Sequence, residues 1–241
     1  MQKEKIIQTY QKKDVVSTFD KEREEFAYQK YKHKIESDFL VNAIKETNAE
    51  NKIKILDVAC GTGRMLSAVF SQERNIEYTG LDTSKEMTSI LLKKAKEKGI
   101  DKKIKLKIGD ATKMPFKENT FDLVFTYHLL WHLPREEQEK VIKEMMRVVK
   151  KEGIIIFDVL NEDFIWEKIK YLFRVEKTEE IYKLNLLKTK QLIGDKKITI
   201  EKLNDAPISN NIFYGIFNIV NILRKIIPIN FFHMIYFKVR K

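Results

Sequence analysis

One stretch, Ile53-Lys54-Ile55-Leu56-Asp57-Val58-Ala59-Cys60-Gly61-Thr62-Gly63-Arg64, limits most strongly what this chain can fold into. A short apolar run reads as a strand and carries Asp57 near its end. Small residues follow, and helical spacing begins at Arg64-Met65-Leu66. Small residues let backbone N–H groups approach a ligand closely. A helix start adds unpaired donors and the positive end of the helix dipole. Doubly wound α/β folds hold an adenosine-containing cofactor at such a turn. A tight strand-to-helix turn with no ligand is the competing reading of this stretch alone. A dinucleotide fingerprint wants glycine where this chain has Ala59 and Leu66, which weakens a nicotinamide reading.

The next strands add two carboxylates. Glu77-Tyr78-Thr79-Gly80-Leu81-Asp82 reads as a second strand ending in an acid. A carboxylate there can accept from both hydroxyls of a ribose; a plain helix-capping acid explains Asp82 equally well. Thr83-Ser84-Lys85-Glu86-Met87 opens a helix to about Lys98, with Ser84 as its N-cap. Ile104 to Ile108 alternates apolar and basic residues, as a strand does, and Gly109-Asp110-Ala111 follows. An acid at this third strand end can accept from the exocyclic amine of adenine. Phe121 to Thr126 reads as a fourth strand, Arg135 to Lys150 as a helix, and Ile154 to Asp158 as a fifth strand after Glu152-Gly153. Strands alternating with helices at this spacing predict a mostly parallel sheet.

These segments together resemble the class I S-adenosylmethionine-dependent methyltransferases, in the ubiquinone/menaquinone-biosynthesis-like group (methyltransferase types 11 and 25). The matching residues are Leu56–Gly63, Gly80–Ser84, Gly109–Ala111 with Pro115-Phe116, Phe121–Val124, and Val149-Lys150 through Ile156. The resemblance implies a Rossmann-like α/β fold: a seven-stranded mixed sheet with helices on both faces, an N-terminal helical lid and a helical insert before the last strand. It implies S-adenosylmethionine as the methyl donor, leaving as S-adenosylhomocysteine. Ala59, Cys60, Gly61 and Gly63 then face the methionine part, Asp82 the ribose, and Asp110 with Ala111 the adenine. Asp57, Thr83, Met87 and Tyr127 complete the expected cofactor set. The division expected is a lid over 1–50, a cofactor-binding core over 51–160, and helices with an antiparallel strand pair over 161–241. That pair is Lys196–Leu203 with His233–Arg240. Two further candidate helices cover about Asp163–Arg174, which includes Trp166, and Thr178–Ile193.

Composition bounds the partners. The net charge is +11, yet only eight of the 46 basic residues are arginine and the lysines are scattered. That pattern fits a compositional bias better than a nucleic-acid surface. One cysteine excludes an internal disulfide and fits a reducing compartment. In the cofactor loop Cys60 reads as a small buried residue rather than a nucleophile. The start of the chain carries no apolar leader, and no run of 18 apolar residues occurs, so the expectation is a cytoplasmic protein. Residues 212–228 are rich in apolar side chains, with Arg224 and Lys225 as the only charges. A helix there suits peripheral membrane contact or a lipid-like acceptor, and suits a packed helix better.

Methyl transfer needs alignment and a dry site, and a base only where the acceptor must lose a proton. His132 and His128 follow the fourth strand, where open α/β sheets bind ligands, and are the candidate bases. His132 has the competing role of packing the next helix. No metal is expected, because no carboxylate pattern completes a site around the two histidines. The N-terminal lid, the loop after strand four and the segment after strand five should meet at one sheet edge. Tyr28, Tyr31, His132 and Trp166 are therefore expected around one pocket. A small or lipid-like acceptor methylated at oxygen or carbon is the leading reading. An RNA methyltransferase and a non-catalytic cofactor-binding module are the alternatives.

Overall fold

The computed structural model describes residues 27–49, 51–162, 164, 182–184, 186–194, 196–203, 222, 226 and 232–241. Helix α1 (Ala27–Lys45) leads into strand β1 (Ile53–Val58), a short helix α2 (Leu66–Val69) and strand β2 (Ile76–Asp82). Helix α3 (Lys85–Glu97) is followed by edge strand β3 (Ile104–Ile108) and by β4 (Phe121–Thr126). Then come α4 (Arg135–Val148), β5 (Val149–Leu160), α5 (Leu186–Ile193), β6 (Lys197–Leu203) and β7 (Met234–Arg240). The seven strands form one sheet in the order β3-β2-β1-β4-β5-β7-β6. β1 to β5 are parallel, and β7 pairs antiparallel with both β5 and β6. The sheet is the mixed, seven-stranded one expected.

Period-two alternation assigns the core to two faces. Ile53, Ile55, Leu123, Phe125, Ile154, Ile156 and Tyr236 point to one face, with residues of α1, α2 and α3. Leu56, Val58, Val124, Ile155, Phe157 and Phe237 point to the other, with Val141, Ile142 and Met145 of α4. β3 keeps its alternating lysines because it is an edge strand and partly exposed.

α1 buries a stripe at four-residue spacing, Lys32, Glu36, Leu40 and Ile44. Its lower half is apolar and packs on the sheet. Its upper half places two charged side chains inside the protein.

Three elements differ from their expected bounds. β5 starts at Val149 rather than Ile154, because Val149 already pairs with Phe121. The expected turn at Glu152-Gly153 is an irregularity within the strand, with Glu152 at φ +62° and the pairing register shifted between Phe121 and Leu123. The helix expected from Thr178 starts at Leu186. Before it the chain is held extended by the Asn161–Leu184 bridge and by Tyr182 N–H donating to the Trp131 carbonyl at 3.0 Å. The expected helix over 163–174, including Trp166, and the side chain of Tyr28 lie outside the described residues, as does most of 212–228. Ile222 and Ile226 of that segment are exposed. Among the described residues no helix is long and apolar enough to cross a membrane.

Candidate active site

The carboxyl ends of β1, β2, β3 and β4 surround a cavity of about 1170 Å³, counted to its open mouth. Ligands bind at this edge in open α/β sheets. From β1 and its loop come Asp57, Ala59, Cys60, Gly61, Thr62, Arg64 and Met65. Asp82, Thr83 and Met87 line the next wall, and Asp110 with Ala111 the third. Tyr127, His128, Leu129, His132 and Leu133 close the side after β4. Of the cofactor-binding and base candidates, the structure thus brings together all but Gly63. Gly63 is a packing position instead: at φ +78° a Cβ there would meet Leu91 Cγ at 2.7 Å and Leu66 Cδ1 at 2.9 Å. Tyr31 packs half-buried against the α1 side of the core and is not one of the cavity residues.

The loop after β1 folds through alternate left-handed residues, Ala59 at φ +59°, Gly61 at +53° and Gly63 at +78°. Ala59 bears a Cβ in that region, which costs about 1–2 kcal/mol. Asp82 fastens the loop. Its Oδ2 accepts from Gly61 N–H at 2.8 Å and its Oδ1 from Ser84 N–H at 2.9 Å. Burial raises the Asp82 pKa, and the backbone donors from Ser84, Gly61 and Thr83 work against that rise. Ser84 caps α3 as expected, its Oγ accepting from Met87 N–H at 3.1 Å. The β3–β4 loop that carries Asp110 is held from α4: Arg147 donates to the Met114 and Phe116 carbonyls, and Glu144 accepts from Met114 N–H at 2.7 Å.

Asp57 points inward. Tyr78 O–H donates to its Oδ2 at 2.7 Å, and burial pushes its pKa up to about 7. Cys60 is buried and reduced, and burial drives its thiol pKa well up, so it is no nucleophile.

The side of the site that faces α1 holds a charged network that no sequence motif announces. Glu36 is fully buried and accepts from Arg64 at 2.5 Å. Its other oxygen meets His128 Nε2 at 2.6 Å and accepts from Tyr236 O–H at 3.2 Å. Burial works against the Glu36 charge, but His128, Arg64 and Lys32 outweigh it and hold the carboxyl well below the ordinary range. His128 sits at φ +62°, a conformation that costs a non-glycine residue about 1–3 kcal/mol. Asp158 Oδ1 fixes it there by accepting from His128 N–H at 2.9 Å. Burial, and then the charge of Glu36, raise the Asp158 pKa. Lys32 Nζ lies 4.9 Å from the centre of the Trp131 ring.

Glu36, His128 and Asp158 do place three ligand-type atoms within 4.8 Å of one another. Arg64 already engages one oxygen of Glu36, and Lys32 adds a second positive charge nearby. A cation would meet two positive neighbours, so the group is a hydrogen-bonded network rather than a metal cage.

Comparison with known proteins settles the class of the fold. Residues 56–157 match the Methyltransferase domain family. Over these residues the chain is similar to the class I S-adenosylmethionine-dependent methyltransferases, in their ubiquinone/menaquinone-like group. Ajmaline N-methyltransferase of Rauvolfia serpentina is 35% identical over 102 residues, which are 42% of this chain and 34% of that protein. Demethylmenaquinone methyltransferase of Bacillus velezensis is 39% identical over 110 residues, 45% of this chain and 46% of the relative. This chain thus matches between a third and a half of the length of these relatives. The magnesium protoporphyrin IX methyltransferase of Synechocystis, solved with S-adenosylmethionine, superposes with a TM-score of 0.66 at 15% identity. It covers 100% of this chain and 98% of its own, so the shared fold extends beyond the matched core.

The residues present fit that cofactor. A Cβ on Gly61 would meet nothing within 4 Å, so the loop after β1 faces open cavity. Gly61 N–H reaches one Asp82 oxygen and Ser84 N–H the other, and a carboxylate with about four lone-pair sites retains acceptor capacity toward a ribose hydroxyl.

Proposed function

We propose that this protein transfers the methyl group of S-adenosylmethionine to a small or lipid-like acceptor, at oxygen or carbon. The observation that carries this reading is the single cavity that joins the carboxylates of Asp82 and Asp110 to a wall of Tyr127, His128, Leu129, His132 and Leu133. The first part suits an adenosine, and the second suits an apolar or planar acceptor. The names of the relatives, an alkaloid N-methyltransferase and a demethylmenaquinone methyltransferase, support a small organic acceptor.

Within this reading Ala59, Cys60 and Gly61 hold the methionine end, Asp82 the ribose, and Asp110 and Ala111 the adenine. Thr83, Met87 and Tyr127 line the remainder. Bound S-adenosylmethionine supplies an electrophilic methyl on a sulfonium, whose carbon–sulfur bond breaks with its electron pair left on sulfur. The chain's own residues align the acceptor and exclude water. Residues 1–50 serve as the lid, and Glu36 of α1 reaching Arg64 and His128 supports that role. Residues 51–160 form the cofactor core, and 161–241 complete the same domain.

The test is a radiolabelled methyl-transfer screen over the small-molecule, lipid and RNA fractions of a cell extract. Label in the small-molecule or lipid fraction is the expected result. Label in RNA alone replaces the acceptor class, and cofactor binding without transfer to any fraction overturns the catalytic reading.

A further inference from the structure

His128 and Glu36 form a pair of the kind that makes an imidazole a directed proton acceptor. His128 Nε2 lies 2.6 Å from Glu36 Oε1. Glu36 is a carboxylate, since Arg64 engages its second oxygen. A carboxylate oxygen can only accept, so Nε2 carries the hydrogen. The Arg64 guanidinium also stands 3.5 Å from Nε2, but at that separation it cannot compete with the short contact to Glu36. In the neutral ring Nδ1 then holds the lone pair, and among the described residues Nδ1 has no partner. His128 lines the cavity on the side away from Asp82 and Asp110, beside Tyr127, Leu129 and His132.

We propose that His128 Nδ1 takes the proton from the acceptor, and that Glu36 is the positioning residue that keeps Nε2 protonated and Nδ1 open. This deepens the methyltransferase reading and rests on it. It also narrows the acceptor to one that must lose a proton, a hydroxyl or an acidic carbon. The acceptor's O–H or C–H bond breaks, and its proton goes to Nδ1. The electron pair so released forms the new bond to the methyl carbon. The positive charge carried by the donor sulfur ends on the imidazole, where Glu36 faces it directly. The proton later leaves through the open mouth of the cavity.

The surroundings are consistent with this traffic. From α1, Lys32 and His33 stand near Glu36, with His33 Nδ1 3.1 Å from Arg64. Asp158 of β5 holds the backbone of His128, and Tyr236 of β7 donates to Glu36. Burial, and then the charge of Lys32, keep the ring neutral at rest; Glu36 opposes them. A resting neutral ring is the form that can accept a proton. Asp158 holds the left-handed backbone of His128, whose ring meets Glu36 and lines the cavity.

The full chain, labelled with ¹⁵N-histidine, gives a direct test by long-range proton–nitrogen NMR, with His128→Asn assigning the signal. The wild type at pH 7 should show a neutral His128 with Nε2 protonated. In Glu36→Gln the charged Arg64 takes the amide oxygen, so the amide NH₂ turns to Nε2 and the tautomer reverses. A wild-type ring protonated on Nδ1, or on both nitrogens, overturns the proposal. So does a folded Glu36→Gln protein with an unchanged tautomer. If that variant does not fold, the wild-type tautomer decides alone. On the small-molecule extract of the screen, His128→Asn should lose about 10²–10⁴-fold in transfer and lose the wild type's rise with pH. Wild-type rates in His128→Asn overturn the proton role. Absence of transfer by the wild type, with S-adenosylhomocysteine bound in calorimetry, overturns the methyltransferase reading instead.

Discussion

Asp57→Asn isolates the charge that the fold buries beneath the cofactor loop. The Asp57 pKa rises from an ordinary 3.8 to about 7, with burial as the main cause and the Tyr78 hydrogen bond opposing it. The folded state therefore holds this proton more tightly than the unfolded chain does. Between pH 4 and 7 the unfolded state has lost it and the folded state has not, so stability falls as pH rises. A tenfold difference in proton affinity between the two states corresponds to about 1.4 kcal/mol. The full penalty above pH 7 therefore approaches about 4 kcal/mol, of which about 2–3 kcal/mol develops between pH 5 and 7. Asparagine carries no such charge, and its amide oxygen can still accept from Tyr78. Urea unfolding of the ligand-free protein at pH 5, 6, 7 and 8 should show the variant gaining on wild type by about 1–2 kcal/mol already at pH 5. It should become more stable than wild type by a few kcal/mol at pH 8. Glu36 and Asp158 titrate in both proteins, so their contributions cancel in the difference. A difference that is constant across these pH values would refute the buried charge as its cause.

Gly63→Ala should destabilise the fold by about 2–5 kcal/mol, adding left-handed strain to a Cβ forced within 2.7 Å of Leu91 Cγ. For a chain of this size the melting temperature should drop by about 5–15 °C in calorimetry. Ser84→Ala removes the N-cap acceptor of Met87 N–H and should cost about 1 kcal/mol in denaturant unfolding.

The cavity wall at the ends of β1, β2 and β3 is legible in the sequence because its residues sit at consecutive strand ends. Asp57, Asp82 and Asp110 each close a short apolar segment, and the parallel sheet lines those ends up along one edge. The network opposite is not legible in that way. Glu36 lies in a helix where every second residue from Lys30 to Asp38 is charged, and it reads there as solvated. Its partners are 92 residues away at His128 and 200 away at Tyr236, distances across which periodicity carries no information. One signal is present: the apolar stripe at Leu40 and Ile44, extended back by four residues at a time, lands on Glu36 and Lys32. Arg64 reads only as the start of a helix, although it stands inside the motif. Gly63 misleads in the opposite direction, since its place in the loop motif suggests ligand approach while packing against Leu66 and Leu91 is what requires it.

Asp82 as the ribose-facing carboxylate of an S-adenosylmethionine site is the assignment on which the rest of the site depends. Calorimetric titration of S-adenosylhomocysteine into wild type and Asp82→Ala, with melting curves confirming that both are folded, tests it directly. One site per chain is expected in the wild type, with a loss of about 1–3 kcal/mol in the variant, roughly 10–100-fold in affinity. Wild-type affinity in the Asp82→Ala protein, or tighter binding of NAD than of S-adenosylhomocysteine by the wild type, would contradict it.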